Sequence, residues 1–318
     1  MNPSTKNDLK MLVFALVIYS IIMGLTSAGM LSAFWQLNLI FAGLNIMLAA
    51  SLNLINGYTG QFSLGHAGFM AVGAYVAAIL TTNFHVPFPL ALLAGAIAAA
   101  FLGVLIGLPT LRLRGDYLAI ATLGLGEIIR VVLINIDYVG GAAGFKGIAR
   151  DTNFAWVFFA VFFTLFFIKN FVNSTHGRAC IAIREDEIAA EAMGIPTTRY
   201  KVMAFAIGAG FAGLGGGLFA HTLTYLNPTS FTFMQSFFFL IMVVLGGMGS
   251  LTGSVVGAFF VTILQAALAS WPEFRMIIFA VALILFMLYR PKGIFGYVEL
   301  TAFGPLKRIF GKGGQANG

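Results

Sequence analysis

Charge is scarce in this chain of 318 residues. Asp, Glu, Lys and Arg make up 9% of it and hydrophobic residues 59%, against roughly 25% charged in a soluble domain. A water-soluble fold of this length cannot hide so much apolar surface, so the excess faces lipid and the protein is integral to a membrane. Proline is scarce too, with 9 residues against 33 Phe, and the apolar runs lack the dyad alternation of a membrane β-barrel. The fold class is therefore all-α. A single cysteine, Cys180, excludes an internal disulfide and leaves the redox compartment open. The Gly-rich loop ending in Lys-Ser/Thr that cradles nucleotide phosphates is missing; Lys312 in "FGKGG" lacks both the spacing and a preceding strand. No cluster of His, Cys and carboxylates suits a metal, and no nucleophile stands beside a base. Catalytic residues, a metal site and a cofactor are accordingly not expected.

Apolar runs fill most of the rest. A helix crosses a bilayer with about 20 mostly apolar residues, and such runs occur at Met11–Ser27, Trp35–Ile55, Phe62–Leu80, Pro89–Leu108 and Tyr117–Ile136. Others occur at Phe154–Phe171, Val202–Leu223, Phe233–Leu245, Val255–Ala269 and Met276–Tyr289, which makes about ten spans. The first could be read as a cleaved signal peptide, but nine further spans favour an uncleaved helix. No shift of composition marks a second domain, so residues 1–318 form a single transmembrane domain whose largest polar piece is the loop 172–201.

The net charge of +7 follows membrane orientation rather than nucleic acid. With Lys6 and Lys10 inside, the even connections carry Arg112, Arg114, Arg178, Arg184, Arg199 and Lys201, and the basic tail 300–318 carries Lys307, Arg308 and Lys312. The odd connections 28–34, 81–88 and 224–232 carry no Lys or Arg; only Lys146, Arg150 and Arg275 run against the bias. Both termini are expected in the cytoplasm by the positive-inside rule.

Glycine interrupts the apolar pattern twice, in "NLINGYTGQFSLGHAGF" (53–69) and "VLGGMGSLTGSVVGAFF" (244–260). Paired Gly-broken segments mark substrate routes in transporters, and non-helical backbone at membrane depth survives only inside protein or beside water. For 246–254 a tight turn between closely packed helices is an equal alternative. In the first segment Asn53, Asn56, Gly57, Gln61, Ser63 and His66 gather uncharged hydrogen-bonding groups fit for a small polar solute. Between the two breaks, Gly208, Ala212 and Gly216, with Gly213 and Gly217 beside them, form a small-residue face for close helix packing.

Two charges stand inside a span. Glu127 and Arg130 lie about 15 Å from one end of Tyr117–Ile136, near the midplane and on one helix face. Intramembrane charges face a partner or a water-filled cavity, so the two form either a self-satisfied packing pair or a gate along the pathway.

The passage "REDEIAAEAMGIPTTRYK" (184–201) holds four of the 11 acidic residues, Glu185, Asp186, Glu187 and Glu191. Acids at the start, then Gly194 and Pro196, delimit a short helix, with Ile188, Ala192 and Ile195 as its apolar stripe and Ala190 keeping it slim. A solvated surface helix and a helix seated in a partner's groove both fit.

At this point the residues resemble a known family. "EIAAEAMG" (187–194) is similar to the Glu-Ala-Ala…Gly loop of ABC importer permeases. The segments 51–75, 111–130, 177–220, 244–258 and "LYRPKGIFG" (288–296) resemble the branched-chain amino acid permeases of the LivM type, across most of residues 35 to 296. The resemblance implies a polytopic ABC importer permease of the bacterial inner membrane that carries Leu, Ile or Val by alternating access. It implies a second permease of the LivH type, two cytoplasmic ATP-binding subunits and a periplasmic solute-binding protein as partners. The loop helix, with Arg184, Glu185, Asp186, Glu187, Ala190, Glu191 and Gly194, would be the coupling helix seated in an ATP-binding subunit. One departure is "VGGAAGFKGI" (139–148), where Val139 replaces the family's Thr. Urea and short amides are alternative substrates within the same class. A self-sufficient secondary transporter or channel is the rival class, and Arg130 beside Glu127 speaks against a proton-coupled carrier.

Overall fold

The computed structural model describes residues 15–17, 19–110, 113 and 115–270, with 277, 280, 281, 284, 288, 289 and 293 beyond them. The spans at Met11–Ser27 and Met276–Tyr289 thus fall partly, and the tail 300–318 wholly, outside the described residues.

The described chain is helical: α1 Ala15–Ser27, α2 Ala33–Asn53, α3 His66–Thr82, α4 Phe88–Thr110, α5 Asp116–Asn135 and α6 Phe154–Asn173. Then come α7 Thr175–Glu185, α8 Glu187–Ala192, α9 Thr197–Leu223, α10 Phe233–Gly246 and α11 Leu251–Ala267. Among the described residues, the one β feature is an isolated bridge between Phe145 and Leu226. Five helices are long and apolar enough to cross a membrane: α2 with its extension to Tyr58, α4, α5, α6 and α9. Four apolar helices, α1, α3, α10 and α11, are shorter. Several expected boundaries move, and α9 begins at Thr197 rather than Val202. The third span begins at His66 rather than Phe62, and the span after the second break begins at Leu251, four residues early.

At the centre of the bundle is α9, where the small-residue face removes side-chain bulk on every side. Side chains added at Gly208 and Gly215 would strike Ile55 and Met47 of α2, and one at Gly216 would overlap the Met70 carbonyl of α3. At Gly213 an added Cβ would come within 2.9 Å of the Gly95 carbonyl oxygen of α4. With little hydrophobic drive between helices inside lipid, such backbone approach is what holds them together. On the outside, α6 turns Phe159, Phe163 and Phe167 outward, as a lipid-facing helix does.

The connections sort onto two ends. At one, Asn83 Nδ2 donates to the Tyr138 hydroxyl (2.9 Å), Tyr225 donates to the Ala143 carbonyl (2.9 Å), and Phe145 pairs with Leu226. These are the odd connections. At the other end the even connections 59–65, 174–196 and 247–250 converge, and there the polar chemistry concentrates.

Candidate functional site: a polar clasp at the broken helices

The two glycine breaks are built differently. After Asn53, α2 widens into one π turn, Leu54–Tyr58, which Thr59 ends by donating its hydroxyl to the Leu54 carbonyl (2.8 Å). Residues 59–65 alone are non-helical, a narrower break than the sequence implied. The second break is a turn of four residues, 247–250, between antiparallel α10 and α11. There a Cβ at Gly246 would overlap Gly253, and one at Gly257 the Met242 carbonyl. Of the two readings of 246–254, the tight turn with glycine packing holds.

Asn53 joins the breaks. It is fully buried, and its Nδ2 donates to the Ser250 carbonyl and to Ser254 Oγ, both at 2.8 Å. Its Oδ1 accepts from the Gly249 amide, also at 2.8 Å. A side chain on Gly57 would fall on Asn53 Oδ1 and the Gly249 amide, so glycine is required at this crossing.

The remaining polar groups close the loop on itself. Asn56 donates to the Ser63 carbonyl and accepts from the Ser63 amide, both at 3.3 Å. Gln61 Nε2 donates to the Lys201 carbonyl (3.2 Å), and His66 Nε2 meets Ser51 Oγ (2.9 Å). Helix α3 starts against two hydroxyls: Thr122 of α5 accepts from the Leu64 amide (3.0 Å) and Ser236 of α10 from the Ala67 amide (2.9 Å). Of the five buried side-chain atoms without a partner among the described residues, three belong to this cluster: Gln61 Oε1, Ser63 Oγ and His66 Nδ1. Each costs about 1–3 kcal/mol when left unpaired, an expenditure typical of sites rather than of passive cores.

The acidic passage stands against this clasp. It divides into two helices: Arg184 and Glu185 end α7, and Asp186 caps α8 by accepting from the Ile188 (2.9 Å) and Ala189 (3.0 Å) amides. Gly194, at φ +82°, closes α8 in the left-handed conformation that a side chain disfavours. Arg184 reaches back across the gap and donates to the Gly57 carbonyl (2.9 Å). Glu187 pairs with Lys201 at 2.7 Å, and the lysine side chain is only 8% exposed. Two details depart from the expected helix. Ala190, not the Ile188 stripe, faces inward, while Ile188 is 69% exposed. Glu187 is committed to Lys201, so the outward acids are Glu185, Asp186 and Glu191. Below α7, Cys180 packs with Leu54 and Tyr58. Burial pushes its thiol up to about 11, outweighing a hydrogen bond with Thr59.

Glu127 and Arg130 pair at 2.6 Å on α5, and the other Glu127 oxygen accepts the Phe233 amide (3.0 Å) at the start of α10. The carboxylate thus neutralises the arginine and caps a neighbouring helix at its positive end.

The structure therefore brings the Asn53–His66 cluster and the Arg184–Gly194 loop together, and sets Glu127 and Arg130 on α5 beside the start of α3, where Gly126 packs against Gly65 and Gly68. Sequence reasoning missed Ser51, Thr122, Lys201, Ser236, Ser250 and Ser254. Lone hydroxyls in apolar helices carry no periodic signal, and Lys201 read as an ordinary orienting charge. Val139, the departure from the family pattern, is buried among apolar neighbours, which need no hydroxyl.

Comparison with known proteins agrees with these features. The model of the branched-chain amino acid transport system / permease component family matches residues 36–287. The chain is 37% identical over 309 residues to the high-affinity branched-chain amino acid transport system permease protein LivM of Salmonella typhimurium, covering 86% of this chain and 71% of that one. It is also 37% identical to LivM of Escherichia coli K12, covering 78% and 67%. LivH of the same strain is 30% identical over 171 residues, covering 53% and 55%. No solved structure is a significant match. An all-helical bundle, glycine breaks and a matching family model over most of the chain lead to one assignment: the chain belongs to the branched-chain amino acid permease family, as a multi-pass ABC permease of the LivM type.

Proposed function

We propose that the protein is the membrane-spanning half of an ATP-driven importer that passes leucine, isoleucine and valine across the bacterial inner membrane by alternating access. It pairs with a permease of the LivH type, with two ATP-binding subunits on the cytoplasmic face, where both termini lie, and with a periplasmic solute-binding protein. ATP is hydrolysed by those partners. The substrate class follows the LivM relatives, which are branched-chain amino acid permeases by name.

The observation that carries the reading is the Arg184 bond to the Gly57 carbonyl. The loop with exposed acids is the part of the even-connection end that another subunit can grip, and Arg184 ties it to the backbone of the π turn. Lys201 adds a second tie, from α8 through Glu187 to the first turns of α9. When the ATP-binding subunits close and move the loop, both ties pull on the clasp that Asn53 holds shut. Asn53, Asn56, Gly57, Gln61, Ser63 and His66 are then the inner gate of the solute path, and Glu127 with Arg130 fixes α5 against α10 beside it. The three unpartnered atoms of the cluster are polar groups ready to meet a solute or its water when the clasp opens.

The test is reconstitution. The permease with a LivH-type partner, ATP-binding subunits and a leucine-loaded binding protein should hydrolyse ATP faster with leucine than without, and should take up labelled leucine only with ATP. Leucine uptake by this chain alone, without ATP-binding subunits, would overturn the proposal in favour of a self-sufficient carrier.

A further inference from the structure

Above the clasp, between α2, α10 and α11, lies a cavity of about 520 Å³. Thr229 and Ser230, from the connection between α9 and α10, line it at the end where the odd connections meet. It descends along α2 from Phe34 to Leu48. Asn45 stands twelve residues from the start of α2, about 18 Å down and so near the bilayer midplane. Asn53 and its clasp begin about two helical turns below. The cavity thus runs from the odd-connection end toward the clasp.

Its lining is specific in kind. Leu44, Leu48, Met70 and Phe219 supply apolar wall, and Asn38, Asn45, Gln235, Thr262 and Gln265 supply uncharged donors and acceptors; among the described residues, none that lines the cavity is charged. Asn45 Nδ2 donates to Thr262 Oγ1 (2.9 Å), which fixes the amide and ties α2 to α11. The side-chain amides of Gln235 and Gln265 have no hydrogen-bond partner among the described residues. The volume and the mixture of apolar wall with a few polar groups are those of a small-molecule site.

We infer that this cavity is the outer binding chamber of the solute path, and that it takes a zwitterion with an apolar side chain. Gln235 and Gln265 hydrogen-bond the solute's ammonium and carboxylate, each amide offering both a donor and an acceptor. The Leu44–Phe219 wall receives the side chain. Without a fixed charge the chamber holds a net-neutral solute weakly enough to release it. A solute of net charge, once desolvated, meets no counter-ion there and is rejected. The inference rests on the branched-chain reading above.

The test uses the whole transporter in right-side-out vesicles with labelled L-leucine. Gln235→Leu and Gln265→Leu should each raise the half-saturating leucine concentration roughly tenfold, the loss of about one hydrogen bond, with the amount of assembled complex unchanged. Gln265→Cys should react with an impermeant thiosulfonate added outside, lose uptake on modification, and be protected by leucine-loaded binding protein. Native Cys180 is buried, and Phe259→Cys, outward on the same helix, should not react. Uptake by Gln265→Cys that survives complete modification, or half-saturation that both Gln→Leu variants leave unchanged, overturns the chamber. A wild-type complex that takes up no labelled leucine overturns the branched-chain reading instead.

Discussion

The two glycine-broken segments, read side by side in the sequence, are the same device; in the structure they are opposites. In 244–260 glycine removes bulk so that α10 and α11 can pack as a tight hairpin, and nearly every backbone group stays helical. In 53–69 glycine clears a crossing: Gly57 makes room for the Gly249 amide and the Asn53 side chain, and the chain then runs free of helix for seven residues, 59–65. The hairpin is the fixed jaw, braced by backbone packing. The π turn is the other jaw, held by side-chain hydrogen bonds and by the loop at Arg184. A gate needs one part that stays and one that can be moved, and a few hydrogen bonds are easier to exchange than a packed helix pair.

The sharpest way to break that contrast is Asn53→Leu. It removes three hydrogen bonds and leaves buried groups of the hairpin unpaired, a loss of about 4 kcal/mol. Purified complex should melt far lower or fail to accumulate, whereas Asn56→Leu, whose bonds stay within one segment, should cost about a third as much. Next is the ion pair at the loop. Glu187→Gln strands a buried Lys201 ammonium and should cost about 3 kcal/mol. The double variant Glu187→Gln with Lys201→Met should recover most of the thermal stability while transport remains impaired. Gly194→Ala forces a side chain into the left-handed region and should cost about 1 kcal/mol, seen as a melting shift with the pore unaltered. Smallest of all, Cys180, held as a protonated thiol by burial, should resist maleimide at neutral pH in the intact complex and react once the loop is displaced by denaturant. Rapid native labelling would mean that α7 does not pack on the π turn.

Much of this was legible in advance, and unevenly. Membrane class, helical fold and the small-residue face of α9 follow from composition and spacing, because lipid imposes few solutions on a backbone. The acidic passage was legible as a capped helix, since Asp186, Gly194 and Pro196 punctuate locally. Its division at Asp186, whose extended backbone ends α7 and whose side chain caps α8, was not, and neither was the reach of Arg184 to Gly57, more than a hundred residues away in sequence. The cluster at 53–66 could be seen as polar, yet its meaning lay in Ser250, Ser254, Thr122 and Ser236, hydroxyls scattered over distant helices. Glu127 and Arg130 signalled a costly charge pair and nothing of the Phe233 amide that completes it. The chamber lined by Gln235 and Gln265 left no trace in any single run, because it exists only where three helices stand side by side.

The most direct test of the account is a cross-link at the outward acid of the loop. With Glu191→Cys in the assembled transporter and a matching cysteine in the cleft of the ATP-binding subunit, a disulfide should form on the cytoplasmic side, block the leucine-stimulated hydrolysis of ATP, and reverse on reduction. Labelling of that cysteine by an impermeant reagent from the periplasmic side, or full transport with the cross-link absent at every stage of the ATP cycle, would contradict it.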